Sequence, residues 1–295
     1  MQSAAAVIPI DRTDRPGRRG SRFGEYNIVM PLARGGMGGV YLATHDETGD
    51  EVALKILDPQ FANHPEVVDR LFAEQRLASA ARHPGLVDIR SARRASDGIP
   101  YLVMEYLDGE TLADAAETGS LDLSAILSIA AQVAAALAAL HAAGVMHCDV
   151  KPENIFITGE ARNPRVKLID FGVSRHATEP QSDDVTIAGT PWCMAPEQWH
   201  GRPTFASDVY ALGCVLYDLT TGFPPFDGSL PELMLKHLEQ RPARPSWLAK
   251  LPLELERVIL RALAKDPDLR PTMAELAHEL ATLADASSPE LRAAG

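Results

Sequence analysis

The stretch His147-Cys148-Asp149-Val150-Lys151-Pro152-Glu153-Asn154 places an acid, a cation and a carboxamide within six residues. It follows a predicted helix and precedes a predicted apolar strand, so it is a short polar loop. Burying so many polar groups without partners is unfavourable, and functional residues concentrate on loops held by a rigid scaffold. We therefore expect this loop to line a cleft that binds a ligand of complementary charge.

The composition is that of a globular protein and excludes some classes of partner. The chain has 295 residues, 46% of them hydrophobic and 23% charged, which suffices for one large domain or two lobes. Its formal net charge of -12 argues against nucleic acid or an anionic membrane as partner, because either would be repelled. The oligomeric state stays open.

The cysteine count and the hydropathy pattern indicate the compartment. The three cysteines, Cys148, Cys193 and Cys214, form no C-x-x-C pair, which favours a reducing compartment and argues against structural zinc. We find no apolar run near the roughly 18 to 20 residues that a membrane span needs, and residues 4–10 are too short for a signal peptide. We therefore expect a cytoplasmic chain, whether or not it is part of a longer protein.

The N-terminal third combines an irregular arm with a predicted sheet. Residues 1–22 carry arginines among Asp, Pro, Gly and Ser without periodicity, which predicts a disordered arm, or alternatively a docking arm. Residues 26–32, 39–43 and 51–57 are predicted to form an antiparallel meander. Four glycines in residues 33–40 would let the backbone approach phosphate oxygens, although a flexible hairpin explains them equally well.

Further motifs follow along the chain. Lys55 lies alone in an apolar strand, Glu74 lies on a helix predicted over residues 65–81, and an apolar strand over 99–106 ends at Asp108-Gly109. We take that point as the hinge between an N-lobe of residues 23–107 and a helical C-lobe of residues 108–285, with a tail over 286–295.

The predicted C-lobe begins with an alanine-rich helix over residues 124–141 that leads into the polar loop of residues 147–154. Short strands over 155–158 and 166–169 come next, and Asp170-Phe171-Gly172 follows the second. A long polar segment then runs to Ala195-Pro196-Glu197, and segments this long are usually functional or mobile. The remaining predicted helices cover residues 207–220, 230–238, 253–264 and 273–283.

In this order the motifs resemble the signature set of protein kinases, most closely the bacterial eukaryotic-like (Hanks-type) serine/threonine kinases, from about residue 23 to residue 283. The resemblance implies an α+β, two-lobed fold, with an antiparallel sheet plus one helix in the N-lobe and a mainly helical C-lobe. It implies transfer of the ATP γ-phosphoryl group to Ser/Thr hydroxyls of protein substrates, the chain itself included. Mg²⁺ is the implied metal, with Mn²⁺ as an alternative.

The resemblance also assigns the residues that contact the nucleotide phosphates. Gly35, Gly36 and Gly38 resemble the flexible lid over the phosphates, whereas the first glycine of the family motif is Ala33 here. Lys55 would contact the α- and β-phosphates and would be held by an ion pair with Glu74.

For the adenine ring, the resemblance implies contacts from Val40 and Ala53 on one side and Phe156 on the other. The hinge backbone and the gatekeeper side chain would be those of Glu105, Leu107 and Met104.

In the polar loop of residues 147–154, Asp149 matches the base that orients the substrate hydroxyl and accepts its proton. Lys151 would support the transferring phosphoryl group, as in the serine/threonine subtype. Asn154 and Asp170 are the two implied Mg²⁺ ligands, with hard oxygen donors suited to a hard cation.

Other matched residues are expected to support the site without doing chemistry. His147 should pack beneath Phe171. Thr190 should bond toward Asp149 and Lys151. The remaining supports are a buried ion pair between Glu197 and Arg270, and Asp208 accepting backbone N–H groups of the loop.

The chain departs from the family where Cys148 replaces the arginine that usually precedes the catalytic aspartate. That arginine helps to receive an activation-segment phosphate, which a cysteine cannot do. We therefore hypothesise an activity that does not strictly depend on phosphorylation of Thr178, Ser182 or Thr186. Asp183-Asp184 is compatible with a built-in negative charge.

Cys193 replaces a tyrosine usual in the family, so redox control through Cys148 and Cys193 is a second hypothesis. The alternative is that both are small buried residues.

Two rival functions remain open from the sequence. A pseudokinase scaffold would bind nucleotide without turnover, but the joint presence of Lys55, Glu74, Asp149, Asn154 and Asp170 argues against it. A small-molecule phosphotransferase of the antibiotic-kinase kind would share the N-lobe and the catalytic acid. The motifs after residue 188 argue for protein substrates.

Overall fold

A computed structural model describes residues 20–119, 121–159, 164–178 and 189–287. The chain divides into two units, of which unit 1 comprises the described residues up to Ser79 together with Val87–Asp108. Unit 2 comprises Ala80–Leu86 and the described residues from Gly109 onward. The predicted arm over residues 1–22 and the predicted tail over 286–295 lie largely outside the described residues.

Unit 1 is built on a six-stranded sheet in the order β1-β2-β3-β4-β6-β5, and every neighbouring pair is antiparallel. The strands are β1 Arg22–Phe23, β2 Tyr26–Gly35, β3 Gly38–His45, β4 Glu51–Leu57, β5 Ile89–Arg94 and β6 Pro100–Glu105. Helix α1 covers Pro65–Ala78, and a 3-10 turn covers Pro59–Phe61. The predicted antiparallel sheet with one α-helix is therefore present in the described part of unit 1.

The period-2 pattern of β4 explains the two faces of this sheet. Val52, Leu54 and Ile56 lie on one face and belong to a buried apolar cluster with residues of β2, β3 and β6. Ala53 and Lys55 alternate onto the opposite face. The sheet thus has a packed face and a second face that carries the lysine.

The glycine-rich segment is more regular than the sequence predicted. Strands β2 and β3 extend into it and pair Gly35 with Gly38, which leaves Gly36 and Met37 as a two-residue turn. A methyl group on Gly38 would lie 2.1 Å from the backbone oxygen of Ile56, whereas Gly35 and Gly36 face open space. Gly38 is therefore required by close strand packing.

Unit 2 is mainly helical, with small sheets in the orders β10-β9-β7 and β11-β8. The helices are α2 Leu112–Glu117, α3 Leu123–Ala142, α4 Pro196–Trp199, α5 Phe205–Thr221, α6 Leu230–Glu239, α7 Leu253–Ala262 and α8 Met273–Ser287. The strands are β7 Gly109–Thr111, β8 Val145–Met146, β9 Ile155–Thr158, β10 Arg165–Leu168 and β11 Arg175–His176. The 3-10 turns are Pro152–Asn154, Pro245–Trp247 and Pro267–Leu269.

Helix α3 corrects the expectation that no apolar run is long enough to cross a membrane. By length and composition its 20 residues pass that test, and half of the tested stretch is buried. Its buried side chains, among them Val133 and Leu137, are fully enclosed in unit 2. The apolar run is thus explained by its position as the core helix of a folded unit.

The segment Ala80–Leu86 was predicted in the N-lobe, but it belongs to unit 2. The Gly85 carbonyl accepts the Leu168 N–H at 2.8 Å, and the Leu86 carbonyl accepts Lys167 Nζ at 3.2 Å. These hydrogen bonds tie the segment to β10.

Several short or polar elements were not predicted. Strand β5 contains three arginines and lies at the edge of the sheet, where polar side chains are common. Arg22, predicted in the arm, forms β1 opposite Asn27 and pairs with Asp46 at 2.6 Å. Helix α8 also runs into the predicted tail, as far as Ser287.

Candidate active site

The polar loop of residues 147–154 in unit 2 is anchored by Asp208, the fully buried carboxylate in the first turn of α5. Its Oδ2 accepts the His147 N–H at 2.8 Å, and its Oδ1 accepts the Cys148 N–H at 2.8 Å. His141 Nε2, from α3, lies 2.8 Å from Oδ2. The predicted support of the loop backbone by Asp208 is confirmed.

The Asp208 carboxylate stays ionised despite its burial. Burial alone would raise its pKa, but hydrogen bonds and electrostatic interactions with His141 and His147 lower the pKa of Asp208 below its usual range. A buried anion is thus compensated by donors from two other elements.

Asp149 is the centre of a polar network on the loop. Its Oδ1 accepts the Thr190 hydroxyl at 2.7 Å, its Oδ2 accepts Asn154 Nδ2 at 3.0 Å, and Lys151 Nζ lies 2.9 Å from Oδ2. Lys151 Nζ also donates to Thr190 Oγ1 at 2.9 Å. The expected bonding of Thr190 toward both loop residues is confirmed, and the Asp149 side chain is 12% exposed.

Lys151 is a cation whose charge the site maintains. Burial would lower its pKa, but the carboxylates of Asp149, Glu153 and Asp170 raise the pKa of Lys151 above its usual value. A lysine held this way is fully protonated at neutral pH and keeps a positive charge beside Asp149.

The β9–β10 hairpin brings Asn154 and Asp170 together. Asn154 precedes β9, Asp170 follows β10, and the Ile169 N–H donates to the Asn154 carbonyl at 2.9 Å. Asp170 has a left-handed φ of 64°, and its Oδ1 accepts the Gly172 N–H at 3.1 Å. Two side chains with oxygen donors therefore flank the same end of the hairpin.

His147 is buried, and its ring lies 5.3 Å from the ring of Phe171. The N–H of His147 donates to Asp208, and the carbonyl of His147 accepts the Ser174 hydroxyl at 3.1 Å. The predicted structural packing of His147 against Phe171 is confirmed.

Beyond the loop, Glu197 and Arg270 form a bidentate ion pair. The Arg270 guanidinium donates to Glu197 Oε1 at 2.7 Å and to Oε2 at 2.9 Å. It also donates to three backbone carbonyls, and its side chain is fully buried. The predicted pair is confirmed, and Ser207, which the sequence did not suggest, adds a hydrogen bond to Glu197 at 2.5 Å.

The sequence also failed to single out Gln198. This buried carboxamide donates to the Cys148 carbonyl at 3.0 Å and accepts the Ala195 N–H at 3.0 Å. The only signal was its position, since Gln commonly accepts such a bond near the start of a helix.

The cysteines are buried free thiols in this structure. Cys148 and Cys193 line the same small cavity. Burial, and secondarily the neighbouring Cys214, raise the pKa of the Cys193 thiol well above its usual range. A protonated buried thiol is a poor nucleophile, which favours the packing interpretation over redox control.

In unit 1, Lys55 and Glu74 form the predicted ion pair. Lys55 Nζ donates to Glu74 Oε1 at 2.9 Å and to Oε2 at 2.7 Å. Glu74 is 3% exposed on α1, so α1 lies against the face of the sheet that carries Lys55. The charge of Lys55 is held in one place by a carboxylate that is itself removed from solvent.

The sheet register places four further predicted residues on that face of unit 1. Residues directly opposite each other on neighbouring strands point to the same side. Val40 pairs with Ala33 and with Lys55, and Ala53 pairs with Met104. These side chains therefore share one surface.

Other predicted contacts are located by the structure without being tested by it. The Glu105 N–H donates to the Asp88 carbonyl at 2.9 Å, so this end of β6 is fixed. Leu107 follows β6 in unit 1, whereas Phe156 lies in β9 of unit 2. Their contacts with adenine stay predictions.

Comparison with known proteins identifies the family. The profile described as protein kinase domain matches residues 26–280, and the chain belongs to this family. It is 42% identical over 257 residues to the serine/threonine-protein kinase Pkn1 of Myxococcus xanthus, covering 85% of this chain and 37% of that protein. It is 38% identical over 277 residues to PknB of Mycolicibacterium smegmatis, covering 90% and 44%.

The fold is likewise that of a kinase domain. The crystal structure of the Mycobacterium tuberculosis PknI kinase domain matches with a TM-score of 0.68 and 28% identity, covering 89% of this chain and 98% of that one. The predicted α+β kinase fold is confirmed. The chain spans less than half the length of the curated relatives named above.

Proposed function

We propose that this chain is the catalytic domain of a serine/threonine protein kinase, which transfers the γ-phosphoryl group of ATP to hydroxyl groups of protein substrates. The observation that carries the proposal is the carboxylate of Asp149, which Thr190, Asn154 and Lys151 hold in one orientation. Phosphoryl transfer asks mainly for positioning and charge neutralisation, and this network supplies both.

Asp149 is the residue that receives the substrate hydroxyl. A carboxylate offers about four lone-pair sites, so hydrogen bonds from Thr190 and Asn154 leave acceptor capacity for an incoming hydroxyl. Asp149 then orients that hydroxyl and takes its proton as the oxygen attacks. Lys151 remains cationic beside it and balances the negative charge of the transferring group.

The family uses ATP and a divalent metal, and we assign the metal of this chain as Mg²⁺, with Mn²⁺ as an alternative. Asn154 and Asp170 present hard oxygen donors at one end of the β9–β10 hairpin, which suits either ion. Among the residues that the structure describes, no group of three or more His, Cys, Asp or Glu side chains could hold a metal. Two protein ligands therefore require oxygen atoms from phosphate and water to complete the shell, a pattern common for Mg²⁺.

We assign the phosphate contacts of unit 1 to Lys55 and to the turn around Gly36. Lys55 is oriented by Glu74, and the open space around Gly35 and Gly36 leaves their backbone accessible. When bound, ATP with its metal supplies the phosphoryl group and a neutralised leaving group. The adenine is assigned to the surface that carries Ala33, Val40, Ala53 and Met104, with Glu105, Leu107 and Phe156 as further predicted contacts.

The proposal is tested by transfer of labelled phosphate from ATP to serine/threonine peptides and to the chain itself. Asp149→Asn removes the base with little change in shape, and Lys55→Met removes the phosphate contact. Each should abolish transfer while the circular dichroism spectrum and the thermal midpoint stay close to wild type. Undiminished transfer by either variant would falsify the mechanism.

We further propose that the activity does not require a phosphate on the segment after Asp170. Cys148 occupies the position of the usual phosphate-binding arginine, and it is a buried thiol with no cationic group that could bind a phosphate. Thr178 lies in the described chain with its hydroxyl 2.8 Å from His176 Nδ1, whereas Ser182, Asp183, Asp184 and Thr186 lie outside it. Alanine at Thr178, Ser182 and Thr186 together should leave peptide phosphorylation largely intact. Near-complete loss of activity would exclude this proposal.

The setting of the domain is proposed on charge and composition. We infer that it acts in the cytoplasm on protein substrates and does not bind nucleic acid, since its net charge of -12 repels polyanions. Fractionation of cells that express the protein tests the compartment, and phosphoprotein mapping tests the protein substrates.

A further inference from the structure

The side chain of Gln198 joins two segments that are far apart in sequence. Its Nε2 donates to the carbonyl of Cys148 on the catalytic loop at 3.0 Å, and its Oε1 accepts the Ala195 N–H at 3.0 Å. The side chain is buried, at 4% exposure. Both ends of one neutral amide are therefore satisfied by backbone groups of two different segments.

The packing around this hydrogen bond leaves no room for a substitute. Gly189 has a φ of +125°, and a methyl group there would lie 3.1 Å from the Cys148 carbonyl oxygen and 3.4 Å from Gln198 Nε2. The small space bounded by Cys148, Cys193 and Gln198 cannot admit a water molecule. If Gln198 stopped donating, the Cys148 carbonyl would lose this hydrogen bond, and no water molecule could replace it in that space.

The Cys148 peptide is held on both sides. Its N–H donates to Asp208, its carbonyl accepts from Gln198, and its φ of 66° is in the left-handed region that non-glycine residues rarely adopt. Such a conformation persists only where surrounding contacts impose it. Asp149 follows directly, so the direction of its carboxylate depends on these two hydrogen bonds.

We propose that Gln198 is a positioning residue, whose amide holds the segment Gly189–Gln198 on the catalytic loop without any phosphate. Through this contact Thr190, which follows Gly189, stays within hydrogen-bond distance of Asp149. The protein substrate is presented to Asp149 by this same segment. The inference rests on the proposed kinase function and adds the means by which the substrate-docking segment is ordered.

A simpler interpretation is that Gln198 only caps the short helix α4. Its Oε1 accepts the N–H of Ala195, the residue before the first helical position, which is a common arrangement. The two interpretations differ in which end of the amide matters. Capping needs the acceptor Oε1, whereas positioning needs the donor Nε2.

Gln198→Glu separates these interpretations, because a carboxylate keeps the acceptor and loses the donor. Gln132→Glu is a matched control in the same unit. Gln132 donates to the Pro164 carbonyl at 2.9 Å and accepts the Val166 N–H at 3.2 Å, so it carries the same change away from the loop. The full chain is used, with a peptide acceptor chosen from a serine/threonine library with the wild-type protein.

We expect Gln198→Glu to lower kcat/KM for the peptide by about 10-fold or more at about pH 8, because a carboxylate then faces a buried carbonyl. The KM for ATP should stay near wild type, and Gln132→Glu should change kcat/KM for the peptide by less than about twofold. The activity of Gln198→Glu relative to wild type should recover between about pH 8 and about pH 6, because a protonated carboxyl can donate again. The titratable side chains that line the small cavity beside Gln198 are Cys148, Asp149 and Cys193. Lys151 forms an ion pair with Asp149.

The outcomes separate this inference from the kinase proposal. If Gln198→Glu is folded and as active as wild type, or if Gln132→Glu loses as much activity, the positioning proposal is wrong. If Gln198→Glu does not fold, Gly189→Ala tests the same contact. It should lower kcat/KM for the peptide with little change in the KM for ATP, and a normal value would overturn the proposal. Failure of the kinase proposal is recognised separately, by absence of transfer from wild type or by equal transfer from Asp149→Asn.

Discussion

The carboxylate of Asp208 lies directly beneath the backbone of Cys148, whose N–H donates to Oδ1 at 2.8 Å. The other oxygen, Oδ2, accepts the N–H of His147 and lies 2.8 Å from His141 Nε2. One buried anion on α5 thus holds two successive N–H groups of the loop. Because Asp149, the proposed base, directly follows Cys148, its position depends in part on Asp208.

Replacing Asp208 should therefore reduce both stability and activity. Asp208→Ala leaves two buried N–H groups and His141 without their acceptor, and we expect a loss of about 3–5 kcal/mol in the free energy of unfolding. Asp208→Asn keeps one acceptor oxygen and should lose less. Urea unfolding followed by circular dichroism measures the stability, and peptide phosphorylation measures the activity. Equal stability of Asp208→Ala and wild type would contradict this account.

The Lys55–Glu74 pair predicts a selective effect on nucleotide use. Glu74→Gln removes the charge that orients Lys55, and kcat/KM for ATP should fall by about 10-fold to 100-fold, as for loss of a charge-assisted hydrogen bond. Glu66 is exposed on the same helix, with its side chain 69% accessible, so Glu66→Gln is the matched control and should be neutral. Similar losses in both variants would point to a general disturbance of α1.

The cysteines predict an activity that resists oxidation. Cys148 and Cys193 are buried free thiols, and burial raises the pKa of Cys193 well above its usual range. Thiolates react with peroxide far faster than thiols, so brief treatment with hydrogen peroxide should leave peptide phosphorylation unchanged. Inactivation that dithiothreitol reverses, and that Cys193→Ala abolishes, would instead support redox control.

His237 predicts a component of acid destabilisation. The ring is fully buried, and its Nδ1 lies 3.0 Å from the Tyr210 hydroxyl. Lys265 Nζ donates to the His237 carbonyl at 2.7 Å. Burial first, and the Lys265 cation second, lower the pKa of His237 from 6.5 to about 3.

The direction of the effect follows from proton uptake. Below pH 6.5 the unfolded chain binds a proton at His237, whereas the folded chain does not until about pH 3. Acidification therefore favours unfolding, by about 2 kcal/mol between about pH 7 and about pH 5. In His237→Asn this contribution should disappear, so its unfolding free energy should fall less over the same range. Parallel pH dependences of wild type and variant would show that His237 titrates normally.

Elements with strong periodicity were predictable from sequence. Strand β4 was placed at residues 51–57, and α3 was placed within one residue at each end, because apolar residues recur there with a regular period. Strand β5 and helix α2 were not predicted, since arginines in the first and the shortness of the second hide any period. From the sequence, α3 was not recognised as long and apolar enough to pass the test for a membrane span.

For the site, the order of the motifs along the chain was sufficient to predict roles for Asp149, Lys151, Asn154 and Asp170. The ion pairs Lys55–Glu74 and Glu197–Arg270 were also anticipated, because charge complementarity and family register agreed. Gln198 was not anticipated, since a glutamine beside a motif has no distinctive chemistry until the structure shows its partners.

By itself the sequence determined the family and the fold class and predicted the residues that would carry the chemistry, because these depend on residue type and on order along the chain. The contact from Asp208 was predicted from the family resemblance, whereas only the tertiary structure showed that Gln198 holds the other side of the Cys148 peptide. The Cys148 peptide is fixed between Asp208 and Gln198, residues 60 and 50 positions away. Such hydrogen bonds depend on distances of about 3 Å between remote segments, and those distances are set by packing.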